Sequence, residues 1–166
     1  MAKGGVIVAI LCLLVLCGKR AEATDKTIVF YMHDIVSGSN QTAKPVVPDG
    51  TTNNLAFGAI TVIDDLLTQS ADPSSSVVGR GQGMYITAAQ DSSTLLLVFT
   101  AVLTSPEYNS STISLQGADK LMQAQRDIPV LGGTGMFNFA QGYATMETAS
   151  LSGFNAVLKF TVFLRY

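Results

Sequence analysis

The sequence is poor in charge and contains no run of basic residues. Only 13% of its 166 residues are charged, 48% are hydrophobic, and the mean hydropathy is +0.36. These values argue against long disordered segments and coiled coils, and they require a large apolar interior. The formal charge is −2, so the phosphate-neutralising surface that nucleic-acid binding needs is missing. A chain of this length is expected to form one domain.

Cysteine and histidine are scarce as well. Cys12 and Cys17 both lie in the apolar N-terminal run, so no disulfide, thiol nucleophile or cysteine metal site is expected in the domain that follows. His33 is the only histidine. A Ser-His-Asp triad would need it, yet no nucleophile-elbow pattern is present. We therefore expect a structural histidine, no metal site and no cofactor.

The apolar N-terminal run predicts a secretion signal. Lys3 precedes the run from Val6 to Cys17, and the small-residue pattern AEA (21–23) follows it. Cleavage after Ala23 divides the chain into a signal at 1–23 and a domain at 24–166. A membrane anchor is the alternative, but this run would reach only about 18 Å as a helix against a hydrocarbon core of about 30 Å. The domain at 24–166 has 7 basic and 11 acidic residues, and hence a formal charge of −4.

Alternating apolar residues recur along the whole domain, and no long segment has the spacing of an amphipathic helix. An all-β sandwich or barrel is therefore predicted. Glycines at 80–83 indicate a bend or close backbone approach within a strand, and those at 132–135 predict a tight turn. Strands are expected at 27–34, 55–64, 78–88, 94–103, 112–118, 128–131, 135–147 and 155–165.

Two acidic residues share a strand face with large apolar residues. Asp34 has the parity of Phe30 and Met32, and Asp119 has the parity of Leu115. Carboxyl groups inside a small barrel are unfavourable unless they are paired, protonated or hydrated, and Arg126 is a candidate partner. A structural ion pair and a pair of catalytic acids with perturbed pKa values both fit this pattern.

Two sequons for N-glycosylation lie in predicted loops. They are NQT at Asn40 and NSS at Asn109. Because the chain is predicted to be secreted, both are expected to be acceptors, although an unused sequon is the alternative.

Four segments resemble, in order, the successive motifs of plant dirigent proteins: YMHDI (31–35), GRGQGMY (79–85), LQGAD (115–119) and RDIPVLGGTGMF (126–137). The resemblance covers essentially the whole domain. It implies an eight-stranded antiparallel β-barrel, usually a homotrimer, that is glycosylated and secreted to the plant apoplast. A dimer is the fallback.

The resemblance also implies a function. Dirigent proteins bind coniferyl alcohol radicals, which a separate laccase or peroxidase produces, and impose stereoselective coupling to lignans. Some relatives instead convert isoflavanols to pterocarpans through a quinone methide, as lyases. A secreted barrel that only binds a small phenol is the third alternative.

Site residues follow from the matched motifs. The resemblance implies general acid and base roles for Asp34 and Asp119, and positioning of phenolic oxygens by Arg126 and Tyr85. Two expected wall positions depart from the lignan-forming members, which have aromatic residues there: they are Thr87 and Ala156. These departures leave the substrate open between coniferyl alcohol and another phenol.

Overall fold

The computed structural model describes residues 23–46, 55–108 and 110–166, and these are built almost entirely from β-strands. One short 3₁₀ turn, Gly135–Phe137, is present among them, and none of these residues belongs to a helix long and apolar enough to cross a membrane. The strands are β1 (Asp25–Asp34), β2 (Ala43–Pro45), β3 (Ile60–Thr68), β4 (Val77–Thr87), β5 (Thr94–Leu103), β6 (Thr112–Lys120), β7 (Gln125–Thr134), β8 (Gln141–Ser152) and β9 (Asn155–Arg165).

The strands form one antiparallel sheet that closes on itself. Neighbouring strands follow the order β1-β9-β8-β7-β6-β5-β4-β3, and the pairing of β1 with β3 completes the circle. β2 is an extra strand that pairs with residues 61–63 of β3, whereas β1 pairs with residues 66–68. The predicted eight-stranded antiparallel barrel is confirmed, with this one short strand added.

Strand positions agree with the sequence prediction where apolar alternation is strongest. β5 and β9 have the predicted bounds, whereas the strand expected at 55–64 is observed at 60–68. β2 lies in a segment expected to be a loop. The predicted tight turn at 132–135 is wrong, because Gly132 and Gly133 pair with β6 beyond a β-bulge and the chain turns only at 135–137.

Aromatic rings fill the middle of the barrel. Phe160 stacks on Phe30 with ring centroids 5.2 Å apart and meets the edge of Phe99 at 5.3 Å. Gly83 is required in β4 beside Phe99, since a Cβ there would lie 2.1 Å from the backbone carbonyl oxygen of Val98. The close approach predicted for the glycine-containing strand is therefore confirmed, and the barrel interior is packed rather than open at this level.

The two ends of the barrel differ in character. Phe137 covers one end, with its ring centroid 6.0 Å from that of Tyr108 and 5.5 Å from that of Tyr166. The other end, where β1 and β6 finish and β3 and β5 begin, carries polar side chains on the interior face. We call this the polar end; its interior side chains are Asp34, Thr61, Asp65, Tyr85, Thr87, Asp119 and Arg126.

Candidate functional site

Asp34 is the last residue of β1 and faces the barrel interior. The alternation that buries Ile28, Phe30 and Met32 also turns Asp34 inward, as the sequence predicted. Its partner in the register is Ala156 of β9. The chain after Asp34 is held by Asn155, whose Oδ1 accepts hydrogen bonds from the backbone N–H groups of residues 36 and 37, both at 2.9 Å. The position of Asp34 is thus fixed from both sides.

Asp119 and Arg126 form a buried ion pair across the hairpin between β6 and β7. Arg126 Nε donates to Asp119 Oδ1 at 2.9 Å, and the two side chains are only 3% and 9% exposed. Burial raises the pKa of Asp119, and the charge and hydrogen bond of Arg126 oppose that rise. Of the two predicted acids, Asp119 is therefore the one that has the arginine as its partner.

Most of the Arg126 guanidinium is engaged by the hairpin itself. Nη1 donates to the carbonyl oxygens of Gln123 and Ala124 at 3.2 and 3.4 Å, and Nη2 donates to Thr148 Oγ1 at 3.0 Å. With the bond to Asp119, four of five N–H donors have partners among the described residues. One N–H remains for a ligand oxygen. The main role of Arg126 is therefore to hold the hairpin between β6 and β7 in place.

Sequence reasoning missed Asp65. β3 turns Thr61, Ile63, Asp65 and Leu67 inward, and Asp65 has no exposed surface. Neither of its carboxyl oxygens has a hydrogen-bond partner among the described residues. The signal was available in the alternation of Ile63, Asp65 and Leu67, but the predicted strand ended at residue 64 and left Asp65 outside it.

Asp34 and Asp65 both have strongly raised pKa values. Burial raises the pKa of Asp34 from 3.8 to about 7. Burial also raises the pKa of Asp65, to about 8, and the neighbouring charge of Asp34 adds to the rise. Both groups are therefore protonated carboxylic acids in mildly acidic solution, able to donate a hydrogen bond or a proton.

Tyr85, Thr87 and Ala156 lie at the same end of the barrel. Tyr85 is buried, and burial together with the nearby Asp34 raises the pKa of its phenol, so it stays a neutral donor. Thr87 is only 1% exposed, and its hydroxyl has no hydrogen-bond partner among the described residues. Ala156 is half-buried beside Asp34. Tyr85 and the two predicted wall positions thus lie at the end of the barrel that holds the acids.

The strand order places the two acidic groups on opposite walls. Asp34 and Asp65 lie at the junction of β1 with β3, and the Asp119–Arg126 pair lies at the junction of β6 with β7. Two strands separate these junctions in each direction around the barrel: β9 and β8 on one side, and β4 and β5 on the other. One wall of the polar end therefore carries neutral acids, and the wall across from it carries an ion pair.

His33 is excluded from this interior group. It faces outward from β1, is buried beneath the segment that follows β3, and lies with Nε2 2.7 Å from Thr68 Oγ1. Desolvation lowers the pKa of His33, so the ring is neutral at ordinary pH. Its position fits the structural role expected from the sequence.

Other features lie apart from the acids. An outer groove of about 470 Å³, lined in part by Tyr143, Phe163 and Arg165, contains none of the predicted site residues. Within residues 23–46, 55–108 and 110–166, no three His, Cys, Asp or Glu side chains are grouped closely enough to hold a metal ion. Asn40 lies exposed in a turn, and the second predicted acceptor, Asn109, lies outside the described residues.

The fold and the site define a closed antiparallel β-barrel with carboxylic acids and an ion pair at one end, and comparisons with known proteins identify its family. The family profile described as "Dirigent-like protein" matches residues 25–165. Dirigent protein 1 of Arabidopsis thaliana is 43% identical over 137 residues, covering 81% of this chain and 75% of that protein. The chain belongs to the dirigent family, as its four motifs predicted.

Two further comparisons involve pterocarpan synthases. Pterocarpan synthase 1 of Glycyrrhiza echinata is 34% identical over 140 residues, covering 81% of this chain and 74% of that protein. A solved pterocarpan synthase dirigent protein superposes with a TM-score of 0.83 at 31% identity, covering 89% of this chain and 88% of that one. The barrel is thus a dirigent barrel in both sequence and structure.

Proposed function

We propose that this protein imparts stereoselectivity on the coupling of phenoxy radicals of monolignols such as coniferyl alcohol, giving optically active lignans. A separate laccase or peroxidase supplies the radicals. In this proposal the polar end of the barrel binds the phenolic substrate and directs which face reacts. Membership of the dirigent family supports the proposal.

The observation that supports the proposal most is that two different kinds of group face each other across the polar end. Asp34, with its pKa raised to about 7, can act as a general acid, whereas the buried Asp119–Arg126 pair presents fixed charge. Joining two phenoxy radicals leaves a quinone methide, whose oxygen gains a proton when a hydroxyl group adds to its methide carbon. A neutral acid facing a charged pair suits that step, because one end of the substrate is protonated while the other is held.

Individual roles follow from the geometry. Asp34 protonates the quinone methide oxygen, and its carboxylate then accepts the proton of the attacking hydroxyl. Tyr85 and the remaining N–H of Arg126 donate hydrogen bonds to phenolic oxygens. Thr87 and Ala156 shape the wall, and their small side chains leave more room there than the aromatic residues of the lignan-forming members.

A second candidate is a lyase that acts on an isoflavanol through a quinone methide. Its support is the likeness to the two pterocarpan synthases, at 34% and 31% identity. There Asp34 would protonate the departing hydroxyl as water, and a base would remove a phenolic proton. No oxidant is then required, and this separates the two candidates experimentally.

The location and partners are part of the same proposal. We expect secretion to the plant apoplast, cleavage after Ala23, glycans at Asn40 and Asn109, and a homotrimer, with a dimer as the fallback. An apolar row on the outer face, formed by Val62, Met84 and Val98 on three paired strands, supports self-association. Val62 and Met84 are exposed in the single chain.

One experiment separates the candidates. The glycosylated protein is incubated with coniferyl alcohol plus laccase and, in parallel, with an isoflavanol and no oxidant, and the products are resolved on a chiral column. Enantiomeric excess in the first incubation supports the lignan proposal, and pterocarpan formed in the second supports the lyase. Racemic lignan together with unconverted isoflavanol would reject both and leave a phenol-binding barrel.

A further inference from the structure

The interior of β3 holds an acid that neither the motifs nor the proposed roles have used. Asp65 has no exposed surface, and neither carboxyl oxygen has a hydrogen-bond partner among the described residues. Burying an unpaired carboxylate is strongly unfavourable. The neighbouring Thr42 hydroxyl lowers the pKa of Asp65, but it donates its hydrogen bond to the backbone carbonyl oxygen of His33. Asp34 is the titratable group whose charge acts most on Asp65.

The register of the closing strands brings the two acids together. Met32 pairs with Leu67 and His33 with Leu66, where the pairing of β1 with β3 ends. Asp34 and Asp65 are the next residues on the two strands, and the charge of Asp34 raises the pKa of Asp65. Met32 and Leu67 both point inward, and residues directly opposite in an antiparallel pair share a face with Cβ atoms about 5 Å apart. Two carboxyl groups at that spacing can share a proton.

Among the described residues, neither acid forms an ion pair with a basic side chain. Tyr85 of β4 lies close enough to sense both acids and is a neutral phenol. Arg80 of β4 and Asp64 of β3 act on Asp65 only weakly, because they pair with each other on the outer face at 2.6 Å. The Thr61 hydroxyl acts on the Tyr85 phenol, whereas the interior hydroxyl of Thr87 at this end has no partner among the described residues. The Thr87 hydroxyl is a second observation that points to a bound polar ligand.

We infer that Asp65 is a positioning residue of the site, which holds a proton in common with Asp34 across the β1–β3 junction and keeps Asp34 supplied with it during turnover. The inference relies on the proposed function only for the identity of the substrate. The shared proton follows from the positions of the two acids at the β1–β3 junction.

The proposed step donates one proton and recovers one proton. The O–H bond of the Asp34 carboxylic acid breaks, and an O–H bond forms on the quinone methide oxygen. The Asp65 proton then bridges the two carboxyl groups, so that the pair carries one proton and one negative charge. As the substrate hydroxyl forms its new C–O bond, its own O–H bond breaks and the proton returns to Asp34. No oxidant or reductant takes part.

The direct test is a titration followed by NMR of ¹³C-labelled aspartate carboxyl groups, without substrate. In wild type the carboxyl groups of Asp34 and Asp65 should both titrate near neutrality, consistent with pKa values of about 7 and about 8. Asp65→Asn should remove one and leave one. Asp64→Asn is the matched control, since its side chain lies next in sequence but on the outer face, and it should keep both.

A reciprocal variant keeps the test decisive if Asp65→Asn does not fold. In Asp34→Asn the remaining Asp65 should titrate at lower pH, because the neighbouring charge that raises its pKa is gone. An unchanged Asp65 titration there, or ordinary acidic titration of both groups in wild type, would overturn the inference.

The pH profile of the product's enantiomeric excess tests the role in turnover. With wild type, the enantiomeric excess should fall at high pH as steeply as the loss of two protons requires. With Asp65→Asn it should fall with the shallower slope of one proton. Overlapping profiles would overturn the role. Two coupled titrations in a protein with no effect on any product would preserve the shared proton and reject the proposed function instead.

Discussion

Arg126 and Asp119 form an ion pair in which Nε lies 2.9 Å from Oδ1 and neither side chain is more than 9% exposed. The same guanidinium ties together the hairpin that joins β6 to β7. The pair therefore stabilises one wall of the polar end, and it separates the two predicted acids into different roles. Asp34 is the neutral acid, and Asp119 is the charged partner of an arginine.

Asp119→Asn should lower stability more than Asp34→Asn does. Removing one partner of a buried pair leaves Arg126 charged and desolvated, at a cost of about 3–5 kcal/mol. Asp34→Asn removes a group that burial already keeps protonated, so its melting temperature should stay close to wild type. Thermal unfolding measures both. Asp25→Asn is a control for Asp119→Asn, because its pair with Arg165 is exposed, and it should leave the melting temperature close to that of wild type.

Stability should fall as the pH rises from about 5 to 7. Asp34 and Asp65 have folded-state pKa values of about 7 and about 8 against an ordinary 3.8, so the folded protein holds protons that the unfolded chain has lost. Each group then lowers the free energy of unfolding by about 1.4 kcal/mol per pH unit in this window. Urea unfolding at several pH values tests this, and Asp65→Asn should show a shallower slope. Equal slopes would contradict it.

Thr87→Val should raise stability and weaken ligand binding. The buried hydroxyl has no partner among the described residues, and valine replaces it with a methyl group of similar shape, which relieves about 1 kcal/mol. If the hydroxyl bonds to the phenolic ligand, affinity should fall about 2- to 10-fold. Calorimetric titration with a monolignol measures the affinity.

Thr100→Val is the control for that change. The Thr100 hydroxyl lies 3.1 Å from that of Ser114, away from the polar end. Its loss should reduce stability slightly and leave affinity unchanged. Weaker binding in Thr100→Val as well, or unchanged binding in Thr87→Val, would remove Thr87 from the site.

Met84→Glu should dissociate the proposed oligomer. Met84 lies between Val62 and Val98 on the outer face, and a carboxylate there would be desolvated by a second copy. Light scattering of the glycan-corrected mass should shift from trimer to monomer. Val29→Glu is matched in exposure but lies on β1, and it should leave the mass unchanged; an unchanged mass in Met84→Glu would place any interface elsewhere.

Most of what the sequence could predict came from the alternation of inward and outward side chains along single strands. It placed Asp34 and Asp119 inside, because alternation near a strand end does not depend on the partner strand. It missed Asp65, since the extent of β3 is set by pairing with β1 and β4 rather than by local pattern. The local sequence likewise does not indicate that β3 pairs with β2 over one part and with β1 over another. The proximity of Asp34 and Asp65 is a long-range consequence of closing the barrel.

The central claim is that Asp34 at the polar end controls the stereochemical outcome, and enantiomeric excess measures it most directly. Coniferyl alcohol is coupled by laccase in the presence of wild type or Asp34→Asn, after calorimetry has shown that both bind the alcohol equally well. We expect a marked enantiomeric excess with wild type and nearly racemic product with the variant. An equal excess with a folded, ligand-binding Asp34→Asn protein would contradict the claim.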